Sequence, residues 1–416
     1  MLIQCCKIPN KKKSTLRKKP SDFAFAVYDS VSMINVEHWN KIVVHGSEFL
    51  QIPFLTVLEN EHPDNMRFHY AIIYDANKPV AISYFQVIDF SSDSFGSNVE
   101  QNENEFSCVI TDYLKKHLTN HLMKSADRIN MRLLICGNAC ISGEHGFTCI
   151  PEVSKTEAID ALSDVIYRIS KVEKLRGKIA AILIKDFYSS SIKFTKEFEE
   201  YKYHDFLVEP NMVLNIQWDT FEKYLDAMSK KYRNRAKSVI KKGAEIERKD
   251  FSVEDINADA KQILQLYNNV HLKAKFRMAS LSPSYFAEMK NVLGNKFNFI
   301  GYYYKQKLIG FRTTFILEND IEAHFIGIDY SMNKELDLYQ NMLYDYVKEG
   351  LNKKAKHLFL GRTASEIKST LGAEALELTC YIRHRNSLSN RIIKPFVDYL
   401  RPSEWVPRNP FKEISV

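Results

Sequence analysis

The sequence predicts an α/β protein of the α+β kind, with two tandem lobes, each a mixed and mostly antiparallel sheet flanked by helices. Three observations predict it. One hairpin pattern occurs twice, around Ala76-Asn77-Lys78 and around Lys305-Gln306-Lys307. Each copy follows a helical segment that carries aromatic anchors. The second copy then runs into a third strand, a helix and a short strand, an order that closes one α/β layer. A length of 416 residues suits two or three domains. With 45% hydrophobic and 26% charged residues, the chain has the material for globular cores.

The first hairpin reads as Phe68 to Asp75, a three-residue polar turn, and Pro79 to Ile88. The second reads as Phe297 to Tyr304, a similar turn, and Leu308 to Leu317. In both, β-branched and aromatic runs flank the turn, which is hairpin chemistry. A third run, Ile321 to Asp329, makes the second copy a three-stranded meander. Helical segments are expected over Glu37 to Leu58 and Ala258 to Leu293, ahead of the two hairpins. Another, Glu335 to Lys348, carries the stripe Leu336, Tyr339, Met342, Leu343, Tyr346 and Val347, with Gly350 as its stop. His357 to Leu360 reads as a short buried strand, and Ile179 to Ile184 as a buried strand too short to span a membrane. The stretch Ser91 to Asn104 is a polar loop, and a hinge is expected between Asp186 and Pro210. These boundaries divide the chain into an arm (1–20), a first lobe (21–205), a second lobe (206–385) and a C-terminal helix and tail (386–416). In that tail Trp405 and Phe411 are expected to pack on the body, since they would otherwise be exposed.

Charge and cysteine usage narrow the function. The formal charge is +7, which permits an anionic ligand without requiring nucleic acid. Part of it lies in Lys11 to Lys19, read as a disordered basic arm or as a tether to a membrane surface or nucleic acid. The seven cysteines are odd in number and form no C-x-x-C pair, so they read as reduced thiols of a cytoplasmic protein. Met1 to Cys6 is apolar but far too short for a signal peptide core. No nucleophile elbow, phosphate loop, H-E-x-x-H helix, calcium loop or dinucleotide fingerprint occurs. The 12 histidines show no metal-ligand spacing, so no stable metal and no permanently bound cofactor is expected.

Three segments carry candidate chemistry. In the basic helix, Asp219 and Glu222 fit a capping box, and the apolar stripe runs from Phe221 to Ile240. At 100° per residue Lys230, Arg233, Lys237 and Lys241 flank one side, and Lys231, Arg235 and Lys242 the other. The charges fit either a phosphate-rich ligand or a solvated face whose stems cover apolar surface. In Gly361 to Gly372, Thr363 and Glu366 fit a second capping box, and Gly372 fits a helix C-terminus. That places Arg362 at a helix mouth and Lys368 within the helix, either an anion site or an ordinary capped turn. On the strand Ile321 to Asp329, Glu322 and His324 share a face. Either suits a general base for an attacking amine, and either suits a half-exposed strand edge; Asp329 is a third candidate.

The order of these motifs resembles a known family. Lys230 to Lys242 looks like the K-x-R-x-x-I-x-K-A helix that opens the second lobe of Fem-type peptidyltransferases and their GNAT relatives. Tyr285 to Gly372 resembles the rest of that lobe, with Gly327-Ile328-Asp329, Tyr339 followed by Leu343, and a closing Lys-x-x-x-Gly at Lys368 to Gly372. The resemblance implies GNAT-like folds for both lobes. It further implies an N-acyltransferase that moves an acyl or aminoacyl group to an amine acceptor such as a cell-envelope precursor. Lys368 matches the family's active-site lysine and Arg233 its basic-helix arginine. The candidate catalytic set is then Lys368, His324, Glu322 and Asp329. The candidate donor-binding set is Arg233, Arg235, Lys237, Tyr339 and Arg362. The chain departs from ordinary GNAT enzymes at Tyr330 to Asp337, where a Gly-rich coenzyme A loop belongs and no glycine stands. The donor is accordingly an acyl-CoA held differently or an aminoacyl-tRNA. A non-catalytic anion- or RNA-binding protein on the same fold is the alternative.

Overall fold

The computed structural model describes residues 21–90, 131–273, 281–393, 402 and 404–412. The basic arm and the loop Ser91 to Asn104 lie outside these residues. The chain divides into two compact units: Met1–Val208, Leu272–Ser280 and Thr379–Arg401 form one, and Glu209–His271, Leu281–Leu378 and Pro402–Val416 the other. Each is a mixed, mostly antiparallel sheet flanked by helices.

In unit 1 the strands are β1 (Ala24–Tyr28), β2 (Met66–Asp75), β3 (Lys78–Phe90), β4 (Met131–Cys136), β5 (Phe147–Cys149) and β6 (Ile179–Tyr188), in the order β1-β2-β3-β4-β6 with β5 on β3. All pairs are antiparallel except β4 with β6, which run parallel. The helix Lys155–Val172 starts at a full capping box, Ser154 with Glu157, and lays Ile159, Leu162, Val165 and Ile166 on Val80, Phe85, Leu134 and Ile182. The helical segment expected over Glu37 to Leu58 is two helices, Val36–Val43 and Ile52–Asn60. Gly46 and Pro53 sit at the break and at the second start.

Unit 2 holds the C-terminal part of β7 (His204–Asn215), then β8 (Glu247–Asp250), β9 (Phe297–Tyr304), β10 (Lys307–Ile316), β11 (Asp320–Ile328) and β12 (His357–Phe359), ordered β7-β12-β11-β10-β9-β8. Here β11 and β12 are the parallel pair. Every residue of edge strand β8 is exposed and charged, which suits an edge that must not pair further. Both hairpin turns have two residues rather than three, because Lys78 and Lys307 already pair across to Asp75 and Tyr304. Lys305 and Gln306 both have positive φ, the backbone of a tight hairpin turn matched to strand twist.

Four local expectations need correcting. The basic helix is two helices, Phe221–Ala227 and Lys230–Lys242, separated at Met228 and Ser229. The first is capped by the Thr220 side chain, while Asp219 pairs with Lys223 instead. The helix expected from Glu335 to Lys348 is also two, Tyr330–Leu336 and Leu338–Asn352, parted by left-handed Asp337. Gly350 does not stop it. A Cβ there would lie 2.5 Å from Ile216 Cδ1, so this glycine permits close packing of the helix on the chain after β7.

The tail returns to unit 2. Phe411 packs on Trp218 and Tyr224 at 4.8 and 6.0 Å between ring centroids, and Trp405 adjoins the same core. Gly372 has φ +93, and an ideal Cβ there would fall 2.1 Å from the Phe411 ring. Gly372→Ala therefore meets both backbone strain and overpacking. It is expected to cost about 2–4 kcal/mol, seen as a lower denaturation midpoint at unchanged slope.

Candidate active site

The site lies in unit 2, where β11 and β12 stop pairing. Their register is Asp320 with His357, Ile321 with Leu358 and Glu322 with Phe359, and it ends there. Just beyond, β11 is irregular against β10: Thr313 Oγ1 accepts from the Phe325 amide at 2.9 Å and donates to its carbonyl at 3.0 Å. A bulge at this point re-aims the side chains around it. Ile321 and Leu358 face the core beneath the helices Lys230–Lys242 and Leu338–Asn352. Alternation turns Glu322 to the other face.

After β12 the chain runs through Gly361 (φ +72), Thr363 (φ 64) and Ala364 (φ 49) into the short helix Ser365–Ser369. Successive left-handed residues of this kind are costly and persist only where the surroundings impose them. The expected Thr363–Glu366 capping box is absent. Ala364 holds the cap position with no side-chain bond, Thr363 is one residue too early, and Glu366 pairs with Arg408. What the turn achieves is to bring Lys368 back on itself. Its Nζ donates to the carbonyls of Gly361 at 3.0 Å and Arg362 at 2.6 Å.

Lys368 is 4% exposed and Glu322 5%. Burial pushes the Lys368 amine down to about 7, although the nearby Glu322 carboxyl opposes the shift. Burial pushes the Glu322 carboxyl well up, with Asp320 adding to the rise and Lys368 opposing it. Burial thus disfavours charge on both groups. The Glu322 carboxyl is thereby raised, and Lys368 titrates near neutrality. Unit 1 also buries a lysine, Lys185, but there Asp186 meets it at 3.3 Å and the Asn138 carbonyl at 2.6 Å.

His324 stands two residues along β11 from Glu322, among the rings of Phe315, Phe325 and Tyr285 at 4.7, 4.1 and 5.8 Å. Tyr285 Oη is 3.3 Å from its Nε2 and Thr313 Oγ1 is 3.4 Å from its Nδ1. Burial lowers its imidazole to about 3, so it is neutral. Glu322 is not on an exposed edge, since β11 lies between β10 and β12 there, whereas His324 stands past the last β12 pair and is half-buried.

Asp329 is elsewhere. It caps the helix Tyr330–Leu336 through the Ser331 amide at 3.1 Å and pairs with Lys307 at 2.8 Å. Burial alone would raise its carboxyl, but Lys307 and Ser331 hold it below the usual range. At ~3.3 Å per residue it is roughly 20 Å along the strand from Glu322. The glycine-free stretch forms this capped helix rather than an open phosphate loop.

The basic helix supplies cations on the opposite face of the sheet from Glu322. Arg233 is half-buried with Nη1 3.5 Å from Asp226, while Arg235 and Lys237 are exposed. Lys242 pairs with Asp337 at 2.9 Å, and Lys231 lies over Tyr232. Tyr339 packs into the two apolar clusters beside the helix Leu338–Asn352. Arg362 is half-buried and joins the site through its carbonyl. The structure thus brings together Lys368, Glu322 and the Arg362 backbone, with His324 next on the same strand. Among the described residues no group of three or more His, Cys, Asp or Glu is placed to hold a metal, and no helix is long and apolar enough to cross a membrane.

Two buried features had no sequence signal strong enough to single out. One is Arg312, which pairs with Glu349 and stacks on Tyr346 at 4.7 Å. The other is Asn211, a fully buried amide on β7. An alternating strand pattern shows which face a residue takes, but not what stands opposite.

No family model and no curated protein matches the sequence. Solved structures do match the fold. FemX superposes with TM-score 0.52 at 10% identity, over 87% of this chain and 98% of that one. A tandem GNAT protein from the clavulanic acid biosynthesis pathway superposes with TM-score 0.50 at 7% identity, over 88% and 99%. At this identity the likeness is one of fold. The chain has a GNAT/Fem-like fold, reached here by a sequence with few residues in common with those proteins.

Proposed function

We propose that the protein is an N-acyltransferase that moves an acyl or aminoacyl group from an activated donor, an acyl-CoA or an aminoacyl-tRNA, to an amine acceptor such as a cell-envelope precursor. The observation that carries this reading is Lys368, buried on two backbone carbonyls beside Glu322 and titrating near neutrality. Amine attack forms a bond from nitrogen to the acyl carbon and breaks that carbon's bond to the donor's sulfur or oxygen. The nitrogen must shed a proton, and neutral Lys368 is a base matched to that task. The proton then returns to the leaving group. Burial raises the Glu322 carboxyl, which disfavours a full negative charge beside the base. Neutral His324 fits a hydrogen-bonding or wall residue better than a proton acceptor, and Asp329 fits a structural cap. Arg233, Arg235, Lys237 and Tyr339 fit the anionic part of a donor only if that part reaches the far face of the sheet, while Arg362 adjoins Lys368 directly. A donor that is largely phosphate, such as tRNA, has that reach. The basic arm would add to its hold, or to that of a membrane surface.

The donor is tested by thermal shift with acetyl-CoA, longer acyl-CoAs and aminoacyl-tRNA on the wild type and Lys368→Ala. A ligand that binds only the folded chain raises Tm by mass action, by about 2.7 kcal/mol of stability at a hundredfold excess over Kd. One donor class is expected to stabilise the wild type and to yield acylated amine only when Lys368 is present. Equal binding of uncharged tRNA to both proteins, with no transfer, would favour the anion- or RNA-binding alternative.

A further inference from the structure

Asn211 lies on β7 immediately before Met212, whose amide donates to the Gly361 carbonyl at 3.2 Å and whose carbonyl accepts from Leu360 at 2.7 Å. It is therefore across from the same Gly361–Arg362 backbone that receives the Lys368 ammonium. Met212 and Leu214 belong to the apolar core with Ile321 and Leu358. Alternation turns Asn211 to the other face, where Glu322 also points. Asn211 is 0% exposed, yet neither its Nδ2 nor its Oδ1 has a hydrogen-bond partner among the described residues. Ser365 opens the helix that carries Lys368, and its buried hydroxyl is likewise without one. A Cβ built on Gly361 would meet nothing within 4 Å, so the backbone between these groups borders open space. Buried amides left unsatisfied on both atoms are rare, because each loses its water without replacement. Two such side chains around one buried lysine make a lining prepared for something polar.

We propose that Asn211, aided by Ser365, is a subsite for an amide group of the substrate next to Lys368. A side-chain amide donates through Nδ2 and accepts through Oδ1, so its complement presents a carbonyl oxygen and an N–H together. A peptide-type amide does so. That amide is either in the pantetheine arm of an acyl-CoA or in a peptidic acceptor. The subsite rests on the acyl-transfer reading only in assigning the amide to one of those two substrates.

The test compares wild type, Asn211→Leu, Ser365→Ala and Lys368→Met in calorimetric titrations with pantetheine and, separately, N-acetyl-glycyl-glycinamide. Asn211→Leu is expected to weaken one probe at least tenfold and to leave Tm unchanged or higher, because it removes an amide that the fold does not satisfy. Which probe responds identifies the source of the amide. Ser365→Ala should weaken the same probe to a smaller degree, and Asn211→Ala replaces the leucine variant if that does not fold. The subsite is overturned if neither probe binds the wild type, if Asn211→Leu leaves both affinities unchanged, or if Asn211→Leu and Asn211→Ala both lower Tm by several degrees, the mark of an amide that serves the fold. Lys368→Met separates the two readings. Loss of transfer there with an inert Asn211→Leu keeps the acyltransferase and removes the subsite. Retained transfer there with a lost probe does the reverse.

Discussion

Lys368→Met is expected to lower the rate of acyl transfer about 10²–10⁴-fold, the usual contribution of a positioned base. Methionine keeps the length and apolar stem of lysine, so the buried volume is filled and the loss is chemical. In the wild type kcat/KM should rise about tenfold per pH unit below about 7 and level off above it, since the base is neutral Lys368. The variant should lose that limb. A variant retaining rate within tenfold, or an unchanged profile, removes Lys368 from the chemistry. Stability gives a second reading. The amine binds its proton at about 7 when folded and at its ordinary 10.5 when unfolded. Between those values the unfolded chain holds more protons, so the wild type gains stability as pH rises from 7 to 10.5 and bears the full penalty of burial below 7. That penalty is on the order of 3–5 kcal/mol. Relative to wild type, Lys368→Met should therefore be most stable below pH 7, with the difference narrowing toward pH 10 in thermal melts.

Glu349→Leu should produce the largest loss of stability, about 3–5 kcal/mol. Glu349 pairs with Arg312 and also accepts from Asn298 at 2.6 Å and Thr314 at 3.0 Å. Arg312 is 5% exposed, and its remaining partners are neutral: Tyr302 at 3.0 Å, Thr314 at 2.9 Å and the Tyr346 ring. Removing the carboxylate strands a guanidinium in the interior. The penalty for one unpaired charge exceeds the net worth of the pair, so Glu349→Leu with Arg312→Met should recover much of the loss. Chemical denaturation of the two single variants and the double one checks this. A double variant as unstable as the sum of the singles would mean that the cost lies in packing.

Sequence and tertiary structure contributed different things to this protein. The two hairpins, the meander, the short buried strand after it, and the packing of Trp405 and Phe411 were legible in the sequence. Alternation and apolar stripes are local periodicities, set by 2 and 3.6 residues per repeat. The breaks at Met228 and Asp337 were not, because a stripe carries across a kink that only neighbouring packing imposes. Lys368, Glu322 and His324 were legible as candidates, through motif order and strand alternation. Their states were decided by tertiary structure alone. Depriving Lys368 and Glu322 of water is what moves their protons, and burial is a property of everything that covers a residue. Asp329 shows the opposite case, a carboxylate just past the end of the same strand that the fold turned into a helix cap. Asn211 and the Arg312–Glu349 pair became visible only when strands remote in sequence were laid side by side, since whether a buried polar group is satisfied depends on partners that no local pattern encodes.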